Sequence, residues 1–544
     1  MICRLKAVDY SVLNSRPVLD YDVSRGRVAL ILWEDEPNAY VQGRKVEVRE
    51  PEQVRWVGDN LALVADSGGS EKRSIYLYDG SLHELLADGN DNVDPTFVRE
   101  DRFLFISNRD GRTTHLYLYD GGEVTRLSEG ELPVSDPCLS PSGRYVVYSQ
   151  GVYDNDLFLL DLSSWERRRL SFRGAEDVPA SSQCFRGDSI LFLSNVSDTS
   201  EIGTWDFSSG EVEWLKTARG EKLEAVPYGE GIAYTVNEGG DVSLVVKERK
   251  ISPGVVVHLK VDEGLYFLRS DSSRDFDLYV YDGEVKRLTD SMAGVTEEFV
   301  EPRKVTYTSD GLEIDALLYS RGGEERGVLY LHGGPDWECL NLFSPEVQLL
   351  VSRGFKVVCP NYRGSTGRGR KFNHLNDGDL GGGDLRDALR AAELLGERVA
   401  VTGASYGGYL TMMAVTKHPE RWCAAAAVVP FVNWFTEKEL EREVLKQYDE
   451  VKMGNDEALL RDRSPIFFVD RIRVPLLLLA GENDPRCPAE ETMQVVRKLE
   501  ELGRRVEYKV YKGEGHGFSK KENYVDSVKR VVEFLDENCR AMNE

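Results

Sequence analysis

Positive charge is what this 544-residue chain has too little of: 68 Lys and Arg stand against 93 Asp and Glu, a net charge of −25 at pH 7. Nucleic-acid binding rests on clustered cations that neutralise phosphates, so this composition excludes it, and an acidic surface by itself speaks to solubility rather than to a substrate. Long hydrophobic runs are also missing. No apolar stretch approaches membrane-spanning length, and the N-terminal MICRLKAVDYSVLNSR has neither a continuous apolar core nor a small-residue cleavage site. The expectation is a soluble, cytoplasmic protein with no membrane partner. Cysteines are few and scattered, at positions 3, 138, 184, 339, 359, 423, 487 and 539, without CxxC or Cys/His clustering. That pattern predicts reduced, buried thiols and neither a metal site nor a cofactor. Gln is scarce while Arg and Glu abound, a thermophile's balance, and in such cells intracellular disulfides persist. Histidine is scarce too, with seven in all, which narrows any search for a catalytic base.

What is present begins with Gly403-Ala404-Ser405-Tyr406-Gly407-Gly408-Tyr409. It stands between a short apolar strand, residues 398–402, and a helix that begins near Leu410. A Gly-x-Ser-x-Gly at a strand-to-helix junction is a nucleophile elbow, a turn so tight that the residues two before and two after the serine must lack bulk. Ser405 is therefore the expected nucleophile. In a hydrolase of this kind the acid and the histidine follow in that order. Only His516, in Gly513-Glu514-Gly515-His516-Gly517-Phe518, lies far enough downstream, since His418 ends the elbow helix and suits capping. The strand 475–480 (PLLLLA) runs into Gly481-Glu482-Asn483-Asp484-Pro485-Arg486-Cys487-Pro488. Asp484 sits just past the strand's C-terminal end, where catalytic groups of parallel sheets collect, with Glu482 the local alternative. Its task would be to orient the imidazole and stabilise the imidazolium. Oxyanion donors are expected from the backbone N–H of Tyr406 and from Gly334, in the His332-Gly333-Gly334-Pro335 loop after the strand 327–331.

HGGP, the segment 361–367 (NYRGSTG), GASYGGY, GENDPRCP and GEGHGF, in this order, resemble the prolyl oligopeptidase family of serine peptidases, and within it the acylaminoacyl peptidase branch most. The resemblance covers the C-terminal half closely and the N-terminal half in architecture. Dipeptidyl peptidases share a tyrosine after the serine but differ in the oxyanion loop and use a glutamate pair to hold a free amino terminus, and no convincing helical pair is evident here. Oligopeptidase B members usually carry another residue after the serine. The resemblance implies cleavage of short or N-acylated peptides with esterase side activity, and it implies that Arg486, two residues after the acid, meets the substrate's carboxylate side. A guanidinium fork suits that contact, although pairing with Asp484 or Glu490 would occupy the same group. After the strand 423–429, Pro430, Phe431, Val432, Trp434 and Phe435 fall on a loop over the active edge. They read equally as an apolar substrate pocket and as packing of a cap helix. A homo-oligomer is compatible with all of this.

The first half explains the chain's length. A strand-and-turn signature ends at Asp79, Asp120, Asp161, Asp206 and Asp282, at intervals of 41, 41, 45 and 76 residues. The last interval is close to two periods, so a degenerate copy is expected near 241–248 and a first one near 40–48. A period near 40 with Asp-Gly turns fits one four-stranded blade per copy, the aspartate opening the hairpin to the last strand. The fold class expected is an N-terminal all-β seven-bladed propeller over 20–295 and a C-terminal α/β-hydrolase domain over 296–544, with residues 1–19 returning to pack on the hydrolase as similar enzymes do. The segment 384–395 (DLRDALRAAELL) reads as a scaffold helix with Asp384 as its N-cap. Against the peptidase reading stand a carboxylesterase, another oligopeptidase of the family, and a propeller that binds a partner beside a vestigial hydrolase. Ser405, Asp484 and His516 together weigh against the last.

Overall fold

The computed structural model describes residues 10–540. Up to Arg287 every regular element but one 3-10 turn is a strand. Five separate sheets follow one another, four of four strands and one of five, and an eight-stranded sheet comes last. Within each, short hairpins alternate with longer loops, such as 66–73 and 108–114. Asp120 pairs with Glu123 across a two-residue turn in which Gly121 (φ +58°) and Gly122 (φ +100°) both take the left-handed conformation that such turns demand. The strands that carry the repeat signature, among them Ser74–Tyr78, His115–Asp120, Asp156–Asp161 and Arg274–Tyr281, are each followed by the last strand of their unit. Adjacent sheets bury apolar faces on each other, as where Ala29, Ile31 and Ala39 meet Val54, Leu61 and Leu63. The first sheet packs its Val18, Tyr21 and Val23 on Tyr266, Leu268 and Leu278 of the last. That contact brings the two ends of the series together through side chains, while strand Val18–Ser24 pairs with Arg27–Trp33.

The second half is one eight-stranded sheet whose spatial order is Arg303–Ser309, Leu312–Tyr319, Phe355–Pro360, Arg326–Leu331, Arg398–Ala404, Trp422–Val428, Leu476–Gly481 and Glu507–Tyr511. The first three are joined antiparallel and the rest parallel. Period-two alternation sorts its residues onto two helix-covered faces. Leu329, Val401, Ala425 and Leu478 face the elbow helix Tyr406–Lys417 and helix Gly383–Ala392, whereas Val328, Ala400, Ala426 and Leu477 face Pro345–Ser352 and the C-terminal helix Lys521–Asn538. Each buried Leu or Val among them stabilises the fold by about 1.5–3 kcal/mol, and each Ala by less. Val12 and Leu13 are buried in the second of these clusters. Residues 1–9 of the segment 1–19 expected to return there lie outside the described residues, and Val18 packs instead between the first and last sheets of the first half.

Two expectations are corrected. Reduced thiols are not found at four of the cysteines: Cys339 is bonded to Cys359 and Cys423 to Cys539. The second pair, 116 residues apart in sequence, ties a central strand to the end of the last helix, a neighbourhood that spacing along the chain does not reveal. Cys138, Cys184 and Cys487 are buried free thiols. Asp384, expected as an N-cap, sits inside the first turn of helix Gly383–Ala392, whose cap is Gly382. Among the described residues no helix is long and apolar enough to cross a membrane, and no group of three or more His, Cys, Asp or Glu is arranged to hold a metal ion.

Candidate active site

Ser405 ends strand Arg398–Ala404 and opens the elbow helix with φ +57° and ψ −123°, a region that an L-residue adopts only where its surroundings force it. The forcing is visible in the flanking glycines. A methyl on Gly403 or Gly407 would collide with the carbonyl oxygen of Leu331. Strand 326–331 thus runs directly beneath the turn and holds the serine up.

The serine's Oγ lies 2.9 Å from His516 Nε2, and His516 Nδ1 lies 2.8 Å from Asp484 Oδ2. The Asp484 side chain is fully buried, and its second oxygen accepts the backbone N–H groups of Arg486 (2.9 Å) and Cys487 (3.0 Å). Such a turn fixes the carboxylate's orientation while leaving one oxygen for the imidazole. Glu482 is exposed and accepts from Gly513 N at 2.9 Å. His418 lies at the end of the elbow helix, where its N–H closes the last turn on Ala414 O. A hydroxyl bonded to an imidazole that is itself held by a buried carboxylate can lose its proton as it attacks an acyl carbon.

Opposite the serine lies the HGGP loop. A methyl on Gly333 would stand 3.5 Å from Ser405 Cβ, and Gly334 takes φ +115°, where an added Cβ would meet Asp336 N at 2.6 Å. Glycine is required at 334, where the loop turns back on its own backbone, and a side chain at 333 would press on Ala404 O at 3.2 Å. His332 anchors the loop from below. Its Nδ1–H bonds Gly333 O (2.6 Å), its Nε2 meets Ser365 Oγ (2.8 Å), and its ring stacks on Tyr362 at 4.2 Å, whose hydroxyl donates to His332 O. Burial pushes this imidazole down from 6.5 to about 4. In the unfolded chain it protonates near pH 6.5, so its contribution is fully present above that pH and is lost as pH falls towards 4. Between pH 7 and 4.5 this amounts to about 2 kcal/mol. Urea melts at the two pH values should show wild type losing that much more stability than His332→Gln; equal losses would contradict the assignment.

The residue after the serine is fixed through its ring. The Tyr406 hydroxyl donates to Asp384 Oδ2, and Asp384 also accepts Leu385 N at 2.7 Å. This explains why Asp384 does not cap its helix: the preceding glycines let the chain turn the carboxyl inward beneath the elbow, where burial pushes it up to about 6. Phe431 stacks on Tyr409 at 4.4 Å and reaches Tyr406 at 6.4 Å. Trp434 is 1% exposed, edge-on to Phe431 at 4.8 Å, with Nε1 donating to Tyr409 Oη, so at this side chain the structure places packing.

Several contacts come from the first half of the chain, and no motif announces them. Arg486 Nε pairs with Glu71 Oε1 at 2.6 Å, not with Asp484 or Glu490. Glu71 also pairs with Arg442, which reaches Asp91 at 2.7 Å. Gly69 packs so tightly on the backbone of Gly515 that neither could carry a side chain, and Asn483 Nδ2 donates to Gly68 O at 2.8 Å. Tyr153 donates to Asp336 Oδ2 at 2.5 Å, beside the HGGP loop. Loops of the N-terminal β-sheets thus touch both the histidine loop and the HGGP loop.

A mostly parallel sheet with a serine on a strained elbow, answered by a histidine and an aspartate from later strand ends, defines an α/β-hydrolase. The family model described as the prolyl oligopeptidase family matches residues 341–541, within the half that holds this sheet. Among relatives, the chain is 28% identical over 352 residues to the peptidase YuxL of Bacillus subtilis, covering 58% of this chain and 51% of that protein. It is 26% identical over 463 residues to the acylamino-acid-releasing enzyme of Homo sapiens, covering 78% and 61%. The chain therefore spans about half the length of the curated relatives it matches. A puromycin-hydrolyzing peptidase of Mycobacterium tuberculosis shares the fold, with a TM-score of 0.83 at 18% identity over 98% of this chain and 96% of that one.

Proposed function

We propose that this chain is a serine peptidase that cleaves short or N-acylated peptides through an acyl-enzyme on Ser405, with hydrolysis of small acyl esters as a side reaction. The observation that carries this reading is the hydrogen-bonded series Ser405, His516, Asp484, set where two domains meet. Ser405 Oγ attacks the acyl carbon as His516 Nε2 takes its proton. The oxyanion that forms is met by the backbone N–H groups of Tyr406 and Gly334. His516 then gives the proton to the departing amine, and water repeats the sequence on the ester. The match to the prolyl oligopeptidase family model and the human relative support a peptidase over a carboxylesterase.

We read the first half as a seven-bladed propeller over residues 20–295, the hydrolase domain as 296–544, and the segment before 20 as packed on the hydrolase. Support for seven comes from the eight-stranded sheet, which divides into two four-stranded halves joined by the single parallel pairing Val242–Val255. A ring over the active edge would admit short or extended chains and exclude folded proteins. Phe431 and Tyr406 line the acyl side in this reading, and Arg486, half exposed although tied to Glu71, is the cation nearest a substrate carboxylate.

The test is a panel of acetylated peptides of increasing length, free-amino dipeptide amides, prolyl amides and acyl esters, with one protein supplied folded and denatured. Fastest cleavage of short acetylated peptides, a decline with length, and sparing of the folded protein are expected. Preference for dipeptide amides would move the assignment to a dipeptidyl peptidase. Efficient digestion of the folded protein would make the propeller a binding platform.

A further inference from the structure

A cavity of about 490 Å³ opens between the first two sheets and the histidine loop, with His516 and Phe518 on one wall and Trp33, Glu50 and Glu52 on the other. Its volume lies within the range of small-molecule and peptide side-chain sites. Its place relative to the chemistry follows from the histidine. The same Nε2 that faces Ser405 must hand its proton to the departing amine, so residues on the leaving-group side of the scissile bond pass next to the imidazole. The cavity has His516 in its wall, while Tyr406 and Phe431, assigned above to the acyl side, are not among its lining residues.

The wall's charges are unequal in availability. Glu52 is paired with Arg73, Glu71 with Arg486 and Arg442, and Asp66 is taken up by the N–H groups of Ser67 (2.6 Å) and Glu71 (3.1 Å). Glu50 accepts one N–H, from Gly68 at 2.5 Å. Among the described residues no Lys or Arg stands within ion-pair distance of it. It is half-buried beside aromatic surface supplied by Trp33 and Tyr524. Lys520 acts on it from beyond ion-pair distance, against the like charges of Asp66 and Glu514, and a carboxylate partly removed from water without a direct ion pair gains from a cationic partner.

Resting on the peptidase reading above, we propose that this cavity is the leaving-group site and that Glu50 makes it favour peptides with a positively charged residue immediately after the scissile bond. In the step concerned, the Ser405 Oγ–acyl bond has formed, the C–N bond breaks, and His516 Nε2 delivers its proton to the nitrogen. The freed peptide keeps its cationic side chain on Glu50 until it leaves.

The experiment compares acetylated peptides that share one acyl residue and differ after the scissile bond, carrying Lys, Gln or Glu there, beside an acyl ester with no residue on that side. kcat/KM is read for the full chain, for Glu50→Gln and for Leu19→Trp, which adds bulk at a wall position that is 39% exposed. In wild type the Lys peptide should exceed the Glu peptide by about tenfold or more, the effect of one charge-assisted hydrogen bond, and Glu50→Gln should bring that ratio to near one. Leu19→Trp should slow the peptides relative to the ester. An unchanged Lys-to-Glu ratio in Glu50→Gln would overturn the proposal, because a carboxylate that only braces Gly68 would alter all peptides alike. So would equal wild-type rates on the three peptides. Failure of wild type to hydrolyse the ester and every peptide would instead remove the peptidase reading.

Discussion

Replacing Ser405 by Ala should lower turnover of every substrate, peptide or ester, by at least about three orders of magnitude while leaving the fold unchanged. The size of the effect follows from covalent catalysis: without Oγ no acyl-enzyme forms, and only the oxyanion donors and binding remain to help water. The stability expectation comes from the backbone. Ser405 sits at φ +57°, and alanine has the same steric preference there as serine, so the elbow's strain is the same before and after. Thermal melts should therefore overlay. Retention of more than a tenth of wild-type turnover would remove Ser405 from the chemistry.

Asp484→Asn should be nearly as damaging, with a loss near ~10⁴, and the geometry gives the reason. Two backbone N–H groups, of Arg486 and Cys487, require an acceptor at the Oδ1 position. An asparagine must put its carbonyl oxygen there and turn its NH₂ towards His516 Nδ1. That nitrogen is then forced to accept, the ring proton moves to Nε2, and the imidazole can no longer take a proton from Ser405. Glu482→Gln touches only the Gly513 N–H at the surface and should change turnover within about threefold. If the Glu482 change proves the more damaging, the acid has been assigned to the wrong residue.

Ser405 and its flanking glycines were legible in sequence because the elbow is a local constraint: strand, turn and helix lie within a few residues, and the prohibition on bulk at 403 and 407 shows as glycine. Asp484 and His516 were legible through strand order. Each follows the end of a parallel strand, and strand ends on one side of such a sheet converge. The repeat of about 40 residues was visible because five units open their last hairpin with Asp, whereas the hairpins at Gln42-Gly43 and Lys247-Glu248 do not.

What stayed hidden is what two distant segments make together. Glu71 and Gly69 lie in an ordinary-looking loop, and only the docking of that loop on 513–515 gives Gly69 its tight contact and Glu71 its arginines. Arg486 was expected to face substrate or a neighbour in sequence, and its partner came from 415 residues away. Asp384 looked like a cap because an acid before an amphipathic stretch usually is one. The buried Tyr406 hydroxyl, which needs an acceptor, drew it inward instead.

In this mechanism Ser405 carries the acyl group. The most direct measurement is to trap it: treat the full chain with a fluorophosphonate, digest it, and locate the adduct by mass spectrometry. One adduct per chain is expected, on the peptide containing Ser405, formed in step with loss of peptidase and esterase activity and absent from Ser405→Ala. Full inactivation with the label on another residue, or full labelling of Ser405 with activity retained, would contradict it.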